Sequence, residues 1–202
     1  MDMISPSIAA LTPSLTLKVT NRAKAMKAAG EEVYGLAGGE PEMDTPDNIK
    51  QAAITALNNG ATKYTPSAGL PALRQAIADK LKRENNLEYD PSQITVGAGA
   101  KHACFNAIMA TVSEGDEVII PSPYWVSYPE MVKLAEGTPV IVAAGIEQDF
   151  KITPAQLETA ITPKTKALIL CSPSNPTGSV YSAEELAGLA EVLKKHPDII
   201  VI

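Results

Sequence analysis

The sequence has 202 residues, of which 45% are hydrophobic and 20% are charged, and its net charge is −6. This length fits one large domain or one and a half small ones, and the composition is that of an ordinary soluble globular protein. The negative charge, without any cluster of lysine and arginine, argues against a nucleic-acid-binding surface.

The sequence also argues against a metal site and against a membrane or secreted location. Cys104 and Cys171 lie far apart in apolar segments, so buried free thiols are expected. The only histidines are His102 and His196, and neither has a second ligand at metal spacing, so no metal is expected. The N-terminus lacks the pattern of a signal peptide, and no apolar run is long enough to span a bilayer. We therefore expect a cytoplasmic protein that binds no membrane.

The first half of the chain is predicted to be irregular and then helical. Residues 1–16 form an irregular arm in this prediction, and Thr16 is placed to cap a helix over 17–29. Thr45 as a cap, followed by Pro46, starts a second helix that reaches about residue 58. Apolar spacing then marks one face of a further helix, at Leu70, Leu73, Ile77 and Leu81.

From residue 94 onward the pattern alternates between strands and helices. Short apolar runs predict strands at 94–97, 117–121, 139–143, 167–171 and 199–202. Helices are predicted at 100–112, at 124–135, from Pro154 and from Ser182 to Lys195, the last two opened by capping boxes with Gln156 and Glu185. This alternation predicts an α/β fold with a mostly parallel sheet covered by helices on both faces.

Three of the predicted strand-to-helix loops carry residues suited to chemistry. The first is Gly97-Ala98-Gly99-Ala100-Lys101, whose small residues leave backbone N–H groups at a helix start available to an anion such as phosphate. The alternative is a tight glycine turn with a solvated lysine. The second, at 122–129, gathers three aromatic residues including the only tryptophan, Trp125. A flat ring there can stack on a planar cofactor or simply plug the sheet edge.

The third loop is Ser172-Pro173-Ser174-Asn175-Pro176-Thr177-Gly178, which follows a buried strand. Its prolines and glycine end the strand, and Asn175 offers both hydrogen-bond donors and an acceptor. A turn of this composition also forms without any ligand. Because ligands collect at the carboxyl ends of parallel strands, three such loops at one edge indicate a binding site.

Five segments together resemble the class I/II aminotransferases of pyridoxal 5′-phosphate (PLP) fold type I, in that family's order and spacing. They are LAGGEP (36–41), TKYTPSAG (62–69), GAGAK (97–101), SPYWVSYPE (122–130) and SPSNPTG (172–178). The last two are most similar to the branch with aspartate and prephenate aminotransferases. The resemblance covers essentially the whole chain. It implies a three-layer sandwich and an enzyme that moves an amino group between aspartate or glutamate and a 2-oxo acid. That acid would be oxaloacetate, 2-oxoglutarate or prephenate.

The resemblance also assigns roles to individual residues. Gly99, Ala100 and Lys101 match the turn that holds the PLP phosphate, and Trp125 matches the ring that stacks on the pyridine. Asn175 matches the residue bound to the cofactor's 3-oxygen and the substrate α-carboxylate, which Gly39 also contacts. Tyr64 matches a tyrosine that reaches the phosphate of the other subunit, which implies a homodimer. Lys101 and Thr16 match the residues linked to the substrate's distal carboxylate.

The resemblance further implies that part of the site lies outside this sequence. The family's Schiff-base lysine would follow Ile202, so this chain holds no catalytic residue of that kind and is expected to be inactive by itself. We interpret it as the N-terminal portion of a longer protein, with an arm and part of a small domain at 1–45 and part of the large PLP-binding domain at 46–202. Alternatives are an aromatic or alanine transaminase, a β-lyase of the same fold, or a non-catalytic binding protein.

Overall fold

A computed structural model of the protein describes residues 3–35, 38–39 and 41–202. The chain forms two compact units. The sheet unit holds the residues up to Ser14 together with Cys104–Ile202, and the helical unit is Leu15–Ala103. The domain division expected from the resemblance, at 1–45 and 46–202, stays a prediction.

The helices of the described residues, in chain order, are α1 (Pro6–Ala9), α2 (Leu15–Ala28), α3 (Asp47–Asn58), α4 (Pro71–Asn85), α5 (Ala100–Thr111), α6 (Ser127–Leu134), α7 (Pro154–Ala160) and α8 (Ala183–Leu193). Short 3₁₀ turns lie at Pro91–Gln93 and Ile146–Gln148. The strands are β1 (Glu117–Ser122), β2 (Thr138–Ala143), β3 (Thr165–Leu168) and β4 (Ile200–Val201).

The four strands form one parallel sheet in the order β2-β1-β3-β4. Helix α6 is the crossover that connects β1 to β2, which lies on one side of β1. Helix α7 lies in the crossover that connects β2 to β3, which lies on the other side of β1. A parallel sheet needs such crossovers, and the alternation of strand and helix in the sequence predicted them. The α/β fold is therefore confirmed.

Helices cover both faces of the sheet, because neighbouring residues of a strand point to opposite sides. One apolar cluster joins α5 and α6 to the sheet through Ile108, Val132, Val118, Ile120 and Ala167. A second joins α7 and α8 to the opposite face through Leu157, Leu189, Ile119 and Leu168. The result is the three-layer arrangement that the family resemblance implied.

Two capping boxes fix where the helices of the second face begin. The Thr153 hydroxyl accepts from the Gln156 N–H at 3.2 Å, and the Gln156 side chain accepts from the Thr153 N–H at 2.8 Å. Ser182 and Glu185 make the same reciprocal pair at 3.2 and 2.7 Å. Both starts agree with the sequence prediction, because the four atoms of a capping box belong to one short segment.

Several other predicted boundaries are wrong. Thr16 is not a cap, because α2 already begins at Leu15. The predicted arm contains the short helix α1, whose cap is Ser5, and the cap of α3 is Pro46 instead of Thr45. The helix predicted from residue 124 begins only at Ser127.

The strand predicted at 94–97 is absent from the described residues. Val96 N–H donates to the Ala68 carbonyl at 3.0 Å, but no ladder forms around this bond. An apolar run becomes a strand only when a neighbour supplies a row of partners, and that neighbour cannot be read from the run itself. The Gly97–Lys101 turn therefore follows an extended segment outside the sheet, and only two of the three candidate loops follow a strand.

Candidate functional site

The order of the strands places a crevice at the carboxyl ends of β1 and β3. After β1 the chain leaves the sheet on one side of that point, and after β3 it leaves on the other. In open α/β sheets the two loops diverge at such a position and leave room for a ligand between them. The two loops here are the aromatic loop, residues 123–126, and the asparagine loop, residues 172–182.

Trp125 of the aromatic loop is partly buried against the apolar cluster of α5 and α6. Its ring meets the ring of Tyr128, in the first turn of α6, edge to face, with centroids 5.3 Å apart and planes at 89°. Such an arrangement places the positive edge of one ring against the negative face of the other. Trp125 is thus a held side chain, and the sequence alone gave no signal for its partner.

Tyr128 is buried, with 9% of its surface exposed. Cys171, which follows β3, packs against the same apolar cluster as Tyr128, and its thiol donates to the Pro173 carbonyl at 3.3 Å. Burial first, and then a hydrogen bond with Cys171, raises the pKa of Tyr128, with a smaller contribution from Cys104. The phenol therefore stays protonated around neutral pH.

This raised pKa predicts a loss of stability at high pH. Above about pH 10 the unfolded chain releases the Tyr128 proton while the folded chain keeps it, so the free energy of unfolding should fall as pH rises. Tyr128→Phe removes this proton, so the free energy of unfolding of the variant should fall less steeply with pH than that of the wild type. The difference between the two slopes should be at most about 1.4 kcal/mol per pH unit. Urea unfolding between pH 9 and 11 measures both slopes. Tyr64→Phe, at a fully exposed site, is the control, and equal slopes for all three proteins would contradict the prediction.

The asparagine loop is closed by its own backbone. Ser174 N–H donates to the Ser179 carbonyl and Gly178 N–H donates to the Ser174 carbonyl, both at 2.8 Å. Gly178 has a φ of +77°, which glycine adopts without strain. The Ser172 hydroxyl accepts from the Tyr181 N–H at 3.1 Å. These bonds present Asn175 at the exposed end of a fixed loop.

A narrow cleft lies between the two loops. Its walls include Tyr124 and Tyr128 from the side of β1, and Ser174, Asn175 and Tyr181 from the asparagine loop. Phe150 also lines it, from the turn that precedes α7. The cleft is therefore lined mainly by aromatic, aliphatic and proline side chains, and its polar groups are the Asn175 amide, the Ser174 hydroxyl, the Cys171 thiol and three tyrosine hydroxyls. A mostly apolar lining with a few polar groups is usual for a small-molecule site.

Phe150 reaches the cleft through an unusual backbone turn. Asp149 and Phe150 have φ of +52° and +57°, a left-handed conformation that is rare for a bulky residue. Phe150 N–H donates to the Gly145 carbonyl at 3.0 Å, which holds the turn closed. The position of Phe150 could not be predicted from the sequence, because nothing in the local pattern signals a left-handed turn without glycine or asparagine.

Lys151 ties this turn to the asparagine loop and α8. Its ammonium lies 2.8 Å from Glu185 and 3.3 Å from Asp149, and Ile152 N–H donates to the Tyr181 hydroxyl at 2.8 Å. The hydrogen bond with Glu185 raises the pKa of Lys151, and the same contact lowers the pKa of Glu185. The ion pair between Lys151 and Glu185 therefore persists around neutral pH, and it holds the end of the asparagine loop, where α8 begins, against this turn.

The glycine turn belongs to the helical unit. Gly99 has a φ of +85°, so a side chain at this position would be strained, and Lys101 lies in the first turn of α5 as predicted. The N–H of Ala98 donates to His102 Nδ1 at 3.0 Å, a contact that holds the turn and that the sequence analysis did not foresee. The first N–H groups of any helix lack intrahelical partners, so this start can bind an anion.

The remaining candidate residues also lie in the helical unit. Thr16 is on α2, and Gly39 and Tyr64 are exposed in irregular segments, Tyr64 fully so. Part of the 36–41 motif, namely Leu36, Ala37 and Glu40, lies outside the described residues. Trp125 and Asn175 are in the sheet unit.

Among the residues that the structure describes, no group of three or more histidine, cysteine, aspartate or glutamate side chains is placed to hold a metal ion. No helix among these residues is both long enough and apolar enough to cross a membrane.

A family model described as aminotransferase class I and II matches residues 31–202 of the chain. The chain belongs to this family. The resemblance noted in the sequence is therefore confirmed, and the family members that it matches include enzymes named for aspartate and prephenate.

Among known relatives, the chain is 57% identical over 199 residues to an aspartate/prephenate aminotransferase of Cereibacter sphaeroides, covering 98% of this chain and 50% of that protein. It is 56% identical over 199 residues to an aspartate aminotransferase of Geobacillus stearothermophilus, with coverage of 98% and 50%. The chain thus spans about half the length of the relatives it matches.

Solved structures give the same result for the fold. An aspartate aminotransferase from Thermus thermophilus, determined with maleate, superposes with a TM-score of 0.95 at 44% identity, covering all of this chain and 53% of that one. One from Rhizobium meliloti gives 0.94 at 46% identity, covering all of this chain and 50% of the other. The fold is that of the PLP fold type I aminotransferases, as expected from the sequence.

Proposed function

We propose that the protein, in its complete form, is a PLP-dependent aminotransferase that moves an amino group between aspartate or glutamate and a 2-oxo acid. The observation that carries this proposal is the cleft at the strand switch point, with Trp125 and Asn175 on the two loops that flank it. These are the positions at which the family resemblance needs a flat ring and an amide. The names of relatives at 55–57% identity support the same reaction.

The residues present fit a planar, phosphorylated cofactor. Trp125 supplies a held aromatic face, and the amide of Asn175 supplies a donor for an oxygen on a ring or a carboxylate. Gly99, Ala100 and Lys101 form a helix start suited to a phosphate, and Tyr64 is the proposed contact from a second subunit. When bound, PLP supplies the electron sink on which amino-group transfer depends.

The remaining assignments are parts of this proposal. Gly39 would donate its backbone N–H to the substrate α-carboxylate, while Lys101 and Thr16 would recognise the distal carboxylate. Maleate, bound in the related Thermus thermophilus structure, is itself a dicarboxylate. The proposal further includes a homodimer in the cytoplasm, and domains divided at residue 45.

The test is amino transfer by the complete protein with several donors. Aspartate is paired with 2-oxoglutarate, glutamate is paired with oxaloacetate, and each of the two donors is also paired with prephenate. Alanine and tyrosine serve as comparison donors. We expect kcat/KM for the dicarboxylic donors to exceed that for alanine by at least about tenfold, the factor for one charge-assisted hydrogen bond. Equal rates with tyrosine or alanine, or pyruvate release from a β-substituted amino acid, would replace this assignment by an aromatic or alanine transaminase or a β-lyase.

A further inference from the structure

Tyr128 lies between the aromatic loop and the start of the asparagine loop. It lies in α6, its ring meets the Trp125 ring edge to face with centroids 5.3 Å apart, and it lines the cleft together with Cys171, which follows β3. One buried side chain therefore contacts the aromatic loop and lies in the same cleft wall as the residue that precedes the asparagine loop. None of the roles implied by the family resemblance includes this residue.

We propose that Tyr128 is a positioning residue that fixes the plane of Trp125 relative to the asparagine loop, so that a flat ligand ring meets a preformed surface. This inference rests on the proposed function, because the ligand is the pyridine ring of the cofactor. The edge-to-face contact at 89° restricts rotation of the Trp125 ring, since leaving this angle loses the favourable contact. The buried cluster around Tyr128, which includes Ile108 and Val132, prevents Tyr128 itself from rotating away.

The burial of Tyr128 and the packing of Trp125 indicate that both rings are held in one orientation. Tyr128 shares its cluster with the fully buried Ile108 and Val132, and Trp125 packs partly against the same cluster. Close-packed side chains of this kind lack the free volume for a second rotamer. Ordering the ring before binding removes the entropic cost of ordering it afterwards.

The chain offers a direct probe, because Trp125 is its only tryptophan. Indole fluorescence, near-ultraviolet circular dichroism and acrylamide quenching of the 202-residue chain therefore report on this ring alone. In a longer form, difference spectra against Trp125→Phe isolate the same signal. Pyridoxine 5′-phosphate is the ligand, since it has an alcohol in place of the PLP aldehyde and does not react with surface lysines.

The variants are Tyr128→Phe, which keeps the aromatic ring, and Tyr128→Leu, which removes it. We expect Tyr128→Leu to weaken the indole circular dichroism and to raise the Kd for pyridoxine 5′-phosphate roughly two- to tenfold, the factor that matches loss of one aromatic contact. Tyr128→Phe should retain the wild-type signals. Wild-type values in a folded Tyr128→Leu protein would overturn the proposal.

Two further measurements distinguish a failure of this proposal from a failure of the variant to fold and from a failure of the proposed function. If Tyr128→Leu does not fold, time-resolved anisotropy of the wild type decides, since a large fast component from local ring motion would contradict a fixed ring. If wild-type fluorescence does not respond to pyridoxine 5′-phosphate, the cofactor assignment fails. The circular dichroism of the variants still tests whether Tyr128 orders Trp125.

Discussion

Replacing Lys101 by methionine should lower kcat/KM for aspartate, glutamate and prephenate roughly ten- to a hundredfold in the complete protein. Lys101 lies in the first turn of α5, where a positive charge is mildly disfavoured by the helix dipole unless an anion is bound nearby. A charge-assisted hydrogen bond to a carboxylate is worth about 1.5–3 kcal/mol, which gives this range. Steady-state kinetics with each donor measure the effect.

Alanine as a donor is the control for this prediction, because it offers Lys101 no distal carboxylate. Its kcat/KM should change far less. Thr16→Val should act in the same direction but more weakly, and the two effects should add incompletely, because both residues would address one carboxylate. An equal loss for every donor would assign Lys101 to the phosphate site alone, and no loss would contradict its proposed role in recognising the distal carboxylate.

Leu189→Ala should destabilise the protein by about 2–5 kcal/mol, the usual cost of a cavity in a core. Leu189 is 1% exposed and belongs to the cluster that binds α7 and α8 to the sheet. Leu186→Ala, one turn earlier in α8 and 39% exposed, is the matched control and should cost less than about 1 kcal/mol. Urea unfolding compares the two, and equal losses would contradict the assigned face of α8.

The parts of the fold that the sequence predicted correctly are those determined by neighbours in the chain. The capping boxes at Thr153 and Ser182 place helix starts to the residue, since all their partners lie within four positions. The alternation after residue 100 predicted the parallel sheet for a similar reason. The strand expected at 94–97 failed because strand formation depends on a partner elsewhere.

The candidate site likewise contains some residues that could be predicted from the sequence and others that could not. Trp125 and Asn175 were found because rare residues in strand-end loops are visible in the sequence. Phe150, Lys151 and Tyr181 were missed, although they support the same cleft, because their roles arise from contacts about 30 residues apart, such as Ile152 with Tyr181. No local pattern carries such a pairing.

The strand order has a consequence for how the cleft forms during folding. The paired residues of β1 and β2 are 21 positions apart, as in Ile119 with Val140, and those of β3 and β4 are 33 apart, as in Ala167 with Ile200. β1 and β3, whose ends frame the cleft, pair across 49 positions, as in Ile119 with Leu168. Closing a chain segment twice as long costs about 0.6 kcal/mol more in entropy. The pairing that creates the cleft therefore has the highest closure cost of the three, and we expect the two outer pairs to form before the halves of the sheet join and the binding surface appears.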